Sequence, residues 1–229
     1  MITKIFTSRI RPWYLAVGLA FLCARFSLGA PDQAPEPRLG SAPSSSTWTI
    51  QYQYKQADPY PKPATALDAQ IFERLRQAYP RLQTVQVNKA GKNRKEVCHY
   101  ADGSEMFKWI IGDYFLTEMR VTHAISIATP AAADVKFKDD FYDLAWINQA
   151  DYKGQQDYQG TSCRVYDLKG TADTQEQTAY IDAKTSLPVG IETADATLLY
   201  TFRPSSETIE LPPGMAAHLK MYLNQTAAP

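Results

Sequence analysis

Histidine and cysteine are scarce, with three of each in 229 residues. His99, His123 and His218 stand too far apart for a compact metal motif, and no His-Glu-x-x-His or Cys-x-x-Cys spacing occurs. The glycines at Gly91, Gly103 and Gly112 are isolated turn residues, so no glycine-rich loop cradles a phosphate. No Gly-x-Ser-x-Gly elbow raises a serine nucleophile. These absences leave no catalytic, metal or cofactor site to assign. Charge of one sign is missing too: 24 basic side chains balance 24 acidic ones. A nucleic-acid partner, which needs a basic stripe to neutralise phosphates, is not expected.

Long apolar runs are also lacking, with one short exception. Lys4, Arg9 and Arg11 precede an apolar run from Trp13 to Cys23, and small residues Ser27 and Gly29 follow it. That is the layout of a secretory signal peptide over residues 1–29, and the run is too short for a bilayer that asks for about 20 residues. Leu22 argues against a lipidated Cys23, because lipoprotein signals place a small residue there. Removing Lys4, Arg9, Arg11 and Arg25 leaves 20 of the 24 basic groups against all 24 acids, a net charge near −4. No transmembrane segment is expected in the mature chain, and the expected location is the periplasm. There Cys98 and Cys163, an even pair in strand-like segments, are expected to form a disulfide. Closing a loop of about 65 residues is worth about 4 kcal/mol in the chain-entropy model. The alternative is two buried thiols that never meet.

Residues 30–46, rich in Pro, Ser and Ala, carry no apolar period and are expected to be a flexible linker to a single domain over 47–229. In that domain Trp48, Ile50, Tyr52 and Tyr54 alternate with Thr and Gln, a strand with one buried face. Thr65 and Asp68 resemble a capping box for a helix to Tyr79. Its stripe of Leu67, Ile71, Leu75 and Ala78 is expected to pack on a sheet. From Leu82, short alternating segments separated by turn residues describe an antiparallel meander, and with the first strand the count is about ten. Phe141–Ile147 fits a short helix or a strand and is read as helical, and another helix is expected after Pro213 with Met215, Leu219 and Tyr222 on one side. The fold class is α+β: a large curved antiparallel sheet with an N-terminal helix and a short C-terminal helix, and a sheet this large curls into a sandwich or an open barrel.

Two features carry chemistry. Asp140 and Asp143, in the run Asp139-Asp140-Phe141-Tyr142-Asp143, are neighbours on a helix and the one candidate carboxylate pair for a hydrolase. The alternative is acids at the favourable end of a helix dipole. Aromatic side chains are plentiful, with 14 Tyr, 9 Phe and 4 Trp. Trp48, Trp109, Trp146, Tyr52, Tyr100, Tyr180 and Tyr200 line either an apolar pocket or a solid core.

The segments Tyr158-Gln159-Gly160-Thr161-Ser162-Cys163-Arg164-Val165-Tyr166 and Ala179-Tyr180-Ile181-Asp182, with Leu187-Pro188-Val189 after them, resemble the late strands of the outer-membrane lipoprotein-sorting (LolA/LolB-like) superfamily. Tyr200-Thr201-Phe202 and Glu210-Leu211-Pro212 fit the closing strand of the same pattern. The resemblance spans about 60 residues and implies an unclosed barrel whose helices lid an apolar cavity for a lipid or lipoprotein acyl chain. In those carriers the helix comes first, whereas here a strand at Thr47–Tyr54 precedes it, and no functional residue is carried over. A non-enzymatic cell-envelope module that meets other proteins is the other function the sequence allows.

Overall fold

A computed structural model describes residues 36–128, 139–171 and 175–226. The expected signal peptide lies outside them.

Eleven strands form one antiparallel sheet: β1 (Ser45–Tyr54), β2 (Leu82–Ala90), β3 (Asn93–Tyr100), β4 (Glu105–Ile111), β5 (Tyr114–Glu118), β6 (Ile125–Ala128), β7 (Asp151–Tyr158), β8 (Thr161–Leu168), β9 (Gln177–Asp182), β10 (Pro188–Thr193) and β11 (Ala196–Pro204). Two meanders, β2–β6 and β7–β11, meet at β1, which pairs with β2 on one side and β11 on the other. β6 and β7 are the outer edges, so the sheet does not close. The strand β6 is absent from the sequence expectation. It is a four-residue edge strand, too short for an alternation to show.

Register sets which side chains share a face. Trp48 and Ile50 stand opposite Phe202 and Tyr200 on β11 and Val87 and Val85 on β2. Val85 in turn stands opposite Cys98 on β3. These residues, with Tyr166, Ala179, Ile181, Ile191 and Leu198 from β8–β11, form the main buried cluster. A 3-10 helix, Tyr142–Gln149, lies on that face and adds Phe141, Leu144 and Ile147. We call this face inner. An eight-residue 3-10 helix is only about 16 Å long. It shares one cluster with strands from β3 to β8, about 29 Å across if flat, so the sheet curls around it. The segment leads into the edge strand β7, and in its path Phe141 packs on Trp48, Tyr200 and Phe202 at 5.6, 6.3 and 5.9 Å between ring centroids.

The outer face has two smaller clusters. Helix α2 (Pro213–Thr226) lays Met215 and Leu219 over Trp109 and Leu116, and Tyr222 meets Tyr114 edge-on. Under β7–β10, Tyr158 and Tyr180 stack at 3.7 Å beside Cys163 and Val165. Gly190 is required there, since a Cβ would come within 2.7 Å of the Tyr158 ring.

Helix α1 (Ala66–Ala78) keeps the expected capping box, with reciprocal Thr65 and Asp68 bonds at 3.1 and 2.9 Å. Its apolar stripe does not pack on the sheet. No residue of α1 is buried, and Leu67 and Ile71 are 64% and 44% exposed. The inner face above the central strands is already occupied by Phe141, Leu144 and Ile147.

The expected linker is also corrected over its second half. Arg164 donates to the Pro37 carbonyl, Gly40 to that of Ser186, and Ala42 to the Asp140 carboxylate at 2.9 Å. Arg38 donates to the Ile147 and Ala150 carbonyls at the end of the 3-10 helix, and Ala42 is buried. These are polar and backbone bonds, which leave no apolar period to read.

Candidate functional site

The expected disulfide does not form. Cys98 and Cys163 are free and buried. They stand six strand positions apart, on opposite faces, whereas a bridge needs Cα atoms within about 7 Å. Burial pushes both thiols up, that of Cys163 to about 11. Of the expected aromatic lining, Trp48, Tyr52, Tyr100, Trp146 and Tyr200 belong to the inner cluster. Trp109 and Tyr180 point outward, because Trp109 stands opposite Lys95 and Tyr180 opposite Val165, both outer-face positions.

The acidic run is spent on holding the 3-10 helix down. Asp140 takes an ion pair from Lys89 at 2.6 Å as well as the Ala42 amide, and the Asp139 carbonyl accepts from Arg94 at 2.7 Å. Arg94 also pairs with Glu96 at 3.0 Å, and Lys108 lies 3.6 Å from Glu96 and 3.5 Å from the Tyr142 hydroxyl. The Tyr200 hydroxyl donates to Asp143, whose carboxyl is pushed up chiefly by burial. The two carboxylates therefore have separate structural partners. His99 and His123 pair with Glu105 and Glu118 at 2.9 and 3.0 Å, and His218 lies on exposed α2 surface. Among the described residues no His, Cys, Asp and Glu group has the geometry to hold a metal ion.

The 3-10 helix seals only part of the inner face. At the far ends of β1 and β3 and the starts of β2 and β4, Tyr52, Tyr54, Leu82, Tyr100 and Met106 pack against the core yet stay partly exposed. Register makes this one wall: Tyr100 stands opposite Leu82, and Met106 opposite Cys98. Two guanidinium groups border it, Arg81 over the Tyr54 ring at 4.3 Å and Arg120 over Tyr100 at 5.4 Å. Arg120 also donates to the Ala78 carbonyl, which ties the end of α1 to this rim. Beside the rim a cleft of about 370 Å³ runs between Pro59-Tyr60, Tyr79-Pro80 and Ala101-Asp102. Sequence reasoning found Tyr52 and Tyr100 but missed Arg81. The one local signal was a pair of Tyr/Pro dipeptides bracketing the helix.

No protein-family model matches the chain, and no curated protein does. Among solved structures it is similar to the lipoprotein LppX of Mycobacterium tuberculosis at 13% identity, covering 74% of this chain and 90% of that one, with a TM-score of 0.37. It is also similar to MucB, solved in complex with MucA(peri), at 12% identity, covering 74% of this chain and 61% of MucB, with a TM-score of 0.28. Among the described residues no helix is long and apolar enough to cross a membrane.

Proposed function

We propose that this chain is an exported, non-catalytic binding or carrier protein of the lipoprotein-sorting (LolA/LolB-like) kind, working in the periplasm and holding the acyl chain of a lipid or lipoprotein. Residues 1–29 serve as its secretory signal. The observation that carries the reading is the division of the inner face. One part is sealed by Phe141, Leu144 and Ile147, while among the described residues the wall of Tyr52, Tyr54, Leu82, Tyr100 and Met106 is only partly buried. Apolar side chains on the inner face of an open sheet gain about 25 cal/mol per Å² when an apolar guest covers them. The strongly paired acids and the absence of a nucleophile motif fit a binder better than an enzyme.

Native mass spectrometry of the protein purified from the cell envelope tests this. A co-purifying lipid or fatty acid is expected, and Met106→Lys, which sets a charge against the guest, should lower its occupancy about tenfold. A ligand-free protein that takes up no fluorescent fatty acid contradicts the proposal.

A second reading, a cell-envelope interaction module, is favoured by the exposed Leu67 and Ile71 on α1. Leu67→Ser with Ile71→Ser would then abolish capture of a partner from envelope extract and leave ligand content unchanged.

A further inference from the structure

The cleft beside the open wall has a charge pattern that selects among apolar guests. Of its ionised groups, Asp58 is paired with Arg76 at 2.5 Å and Asp102 with Arg120 at 2.9 Å. Arg81 is left over: among the described residues no carboxylate lies within ion-pair distance of it. Its Nη1 donates to the carbonyls of Gln56 and Ala57 at 2.6 and 3.1 Å, which fixes the guanidinium, and its plane lies over Tyr54. The Nε and Nη2 edge has no hydrogen bond among the described residues. A carboxylate takes that edge of an arginine with two parallel bonds. Around it stand apolar surfaces, Pro59, Tyr60, Tyr79 and Pro80, and behind Tyr54 the wall of Leu82, Tyr100 and Met106 begins.

We infer that this rim is a head-group site, and that the guest is a single-chain carboxylate amphiphile whose carboxylate binds Arg81 while its chain lies along Tyr54, Leu82, Tyr100 and Met106. The free edge of Arg81 takes one carboxylate, whereas a phosphate monoester would bring a second negative charge toward Asp58 and Asp102. A tyrosine face under the guanidinium, and two carbonyls holding it, keep the cation in place before the guest arrives, so little ordering entropy is lost on binding.

The inference rests on the carrier reading, and a paired titration separates the two. Cis-parinaric acid and its methyl ester are titrated by fluorescence into the purified full chain at pH 8. The acid is expected to bind about tenfold tighter than the ester, as a charge-assisted pair of hydrogen bonds warrants. Arg81→Gln should bring the acid down to the affinity of the ester while leaving the ester unchanged, which also shows that the variant is folded. Arg81→Lys, which keeps the charge and loses the fork, should fall between them. Equal binding of acid and ester, or an acid preference that survives Arg81→Gln, overturns the head-group site and leaves the carrier reading standing. Binding of neither probe overturns both. Displacement of the probe by oleoyl lysophosphatidate at lower concentration than by oleate overturns the assignment to a carboxylate.

Discussion

At the scale of single residues, the buried polar groups explain most of what the inner face does. Asp143, in the first turn of the 3-10 helix, accepts a hydrogen bond from the Tyr200 hydroxyl, and burial raises its carboxyl above the ordinary range. A group with a raised folded-state pKa favours the fold below its unfolded pKa, and that contribution is lost as pH rises through the folded value. The Asp143 contribution is therefore expected to be lost as pH rises above the ordinary carboxylate range, and Asp143→Asn should remove that part of the pH dependence, as read by the difference in Tm between variant and native protein from pH 4 to 8. A profile for the variant that runs parallel to the native one would show that Asp143 has no part in it. The cysteines make a second residue-scale test. In the absence of reductant, neither Cys98 nor Cys163 should react with a maleimide in the native protein, and both should react once it is denatured. Sequence alone paired them, because parity and compartment were readable but face was not. Cys98 follows the inner alternation of β3 and Cys163 the outer alternation of β8, and only the register of the assembled sheet reveals that.

At the scale of elements, a helical stripe says that a helix has an apolar side and says nothing of what covers it. The stripe of α1 predicts packing on the sheet, while the 3-10 helix, with no comparable stripe, supplies the core residues instead. Leu144 is fully buried, so Leu144→Ala should cost about 2–5 kcal/mol in chemical denaturation. Ile71→Ala on α1, at 44% exposure, should cost well under half of that. Equal losses would mean that α1 is packed after all. The capping box, β1, β11 and the face of α2 were legible because each rests on local periodicity or local hydrogen bonding. The packed stretch 37–44 was not, because Arg38, Arg164 and backbone amides hold it, through partners distant in sequence.

At the scale of the whole molecule, topology produces the site. Placing β1 between two meanders sends the chain from edge β6 to edge β7, and the described end of that connection, 139–150, fills one part of the inner face. The turns and strands of a large antiparallel sheet are plain in the sequence, whereas its being unclosed is implied there only by the family resemblance. Whether its inner face was filled or hollow was not, since an inward aromatic residue reads the same in either case. Among the described residues the face is divided, fully buried beneath Phe141 and Leu144 and only partly buried along Tyr52, Tyr54, Tyr100 and Met106. The most direct test is to photo-crosslink a diazirine-bearing fatty acid to the purified protein and map the labelled peptides. The account predicts label on β1, β3 and β4 at Tyr52–Tyr54, Tyr100 and Met106. Label confined to α2, to the outer face or to residues 141–147 would contradict it.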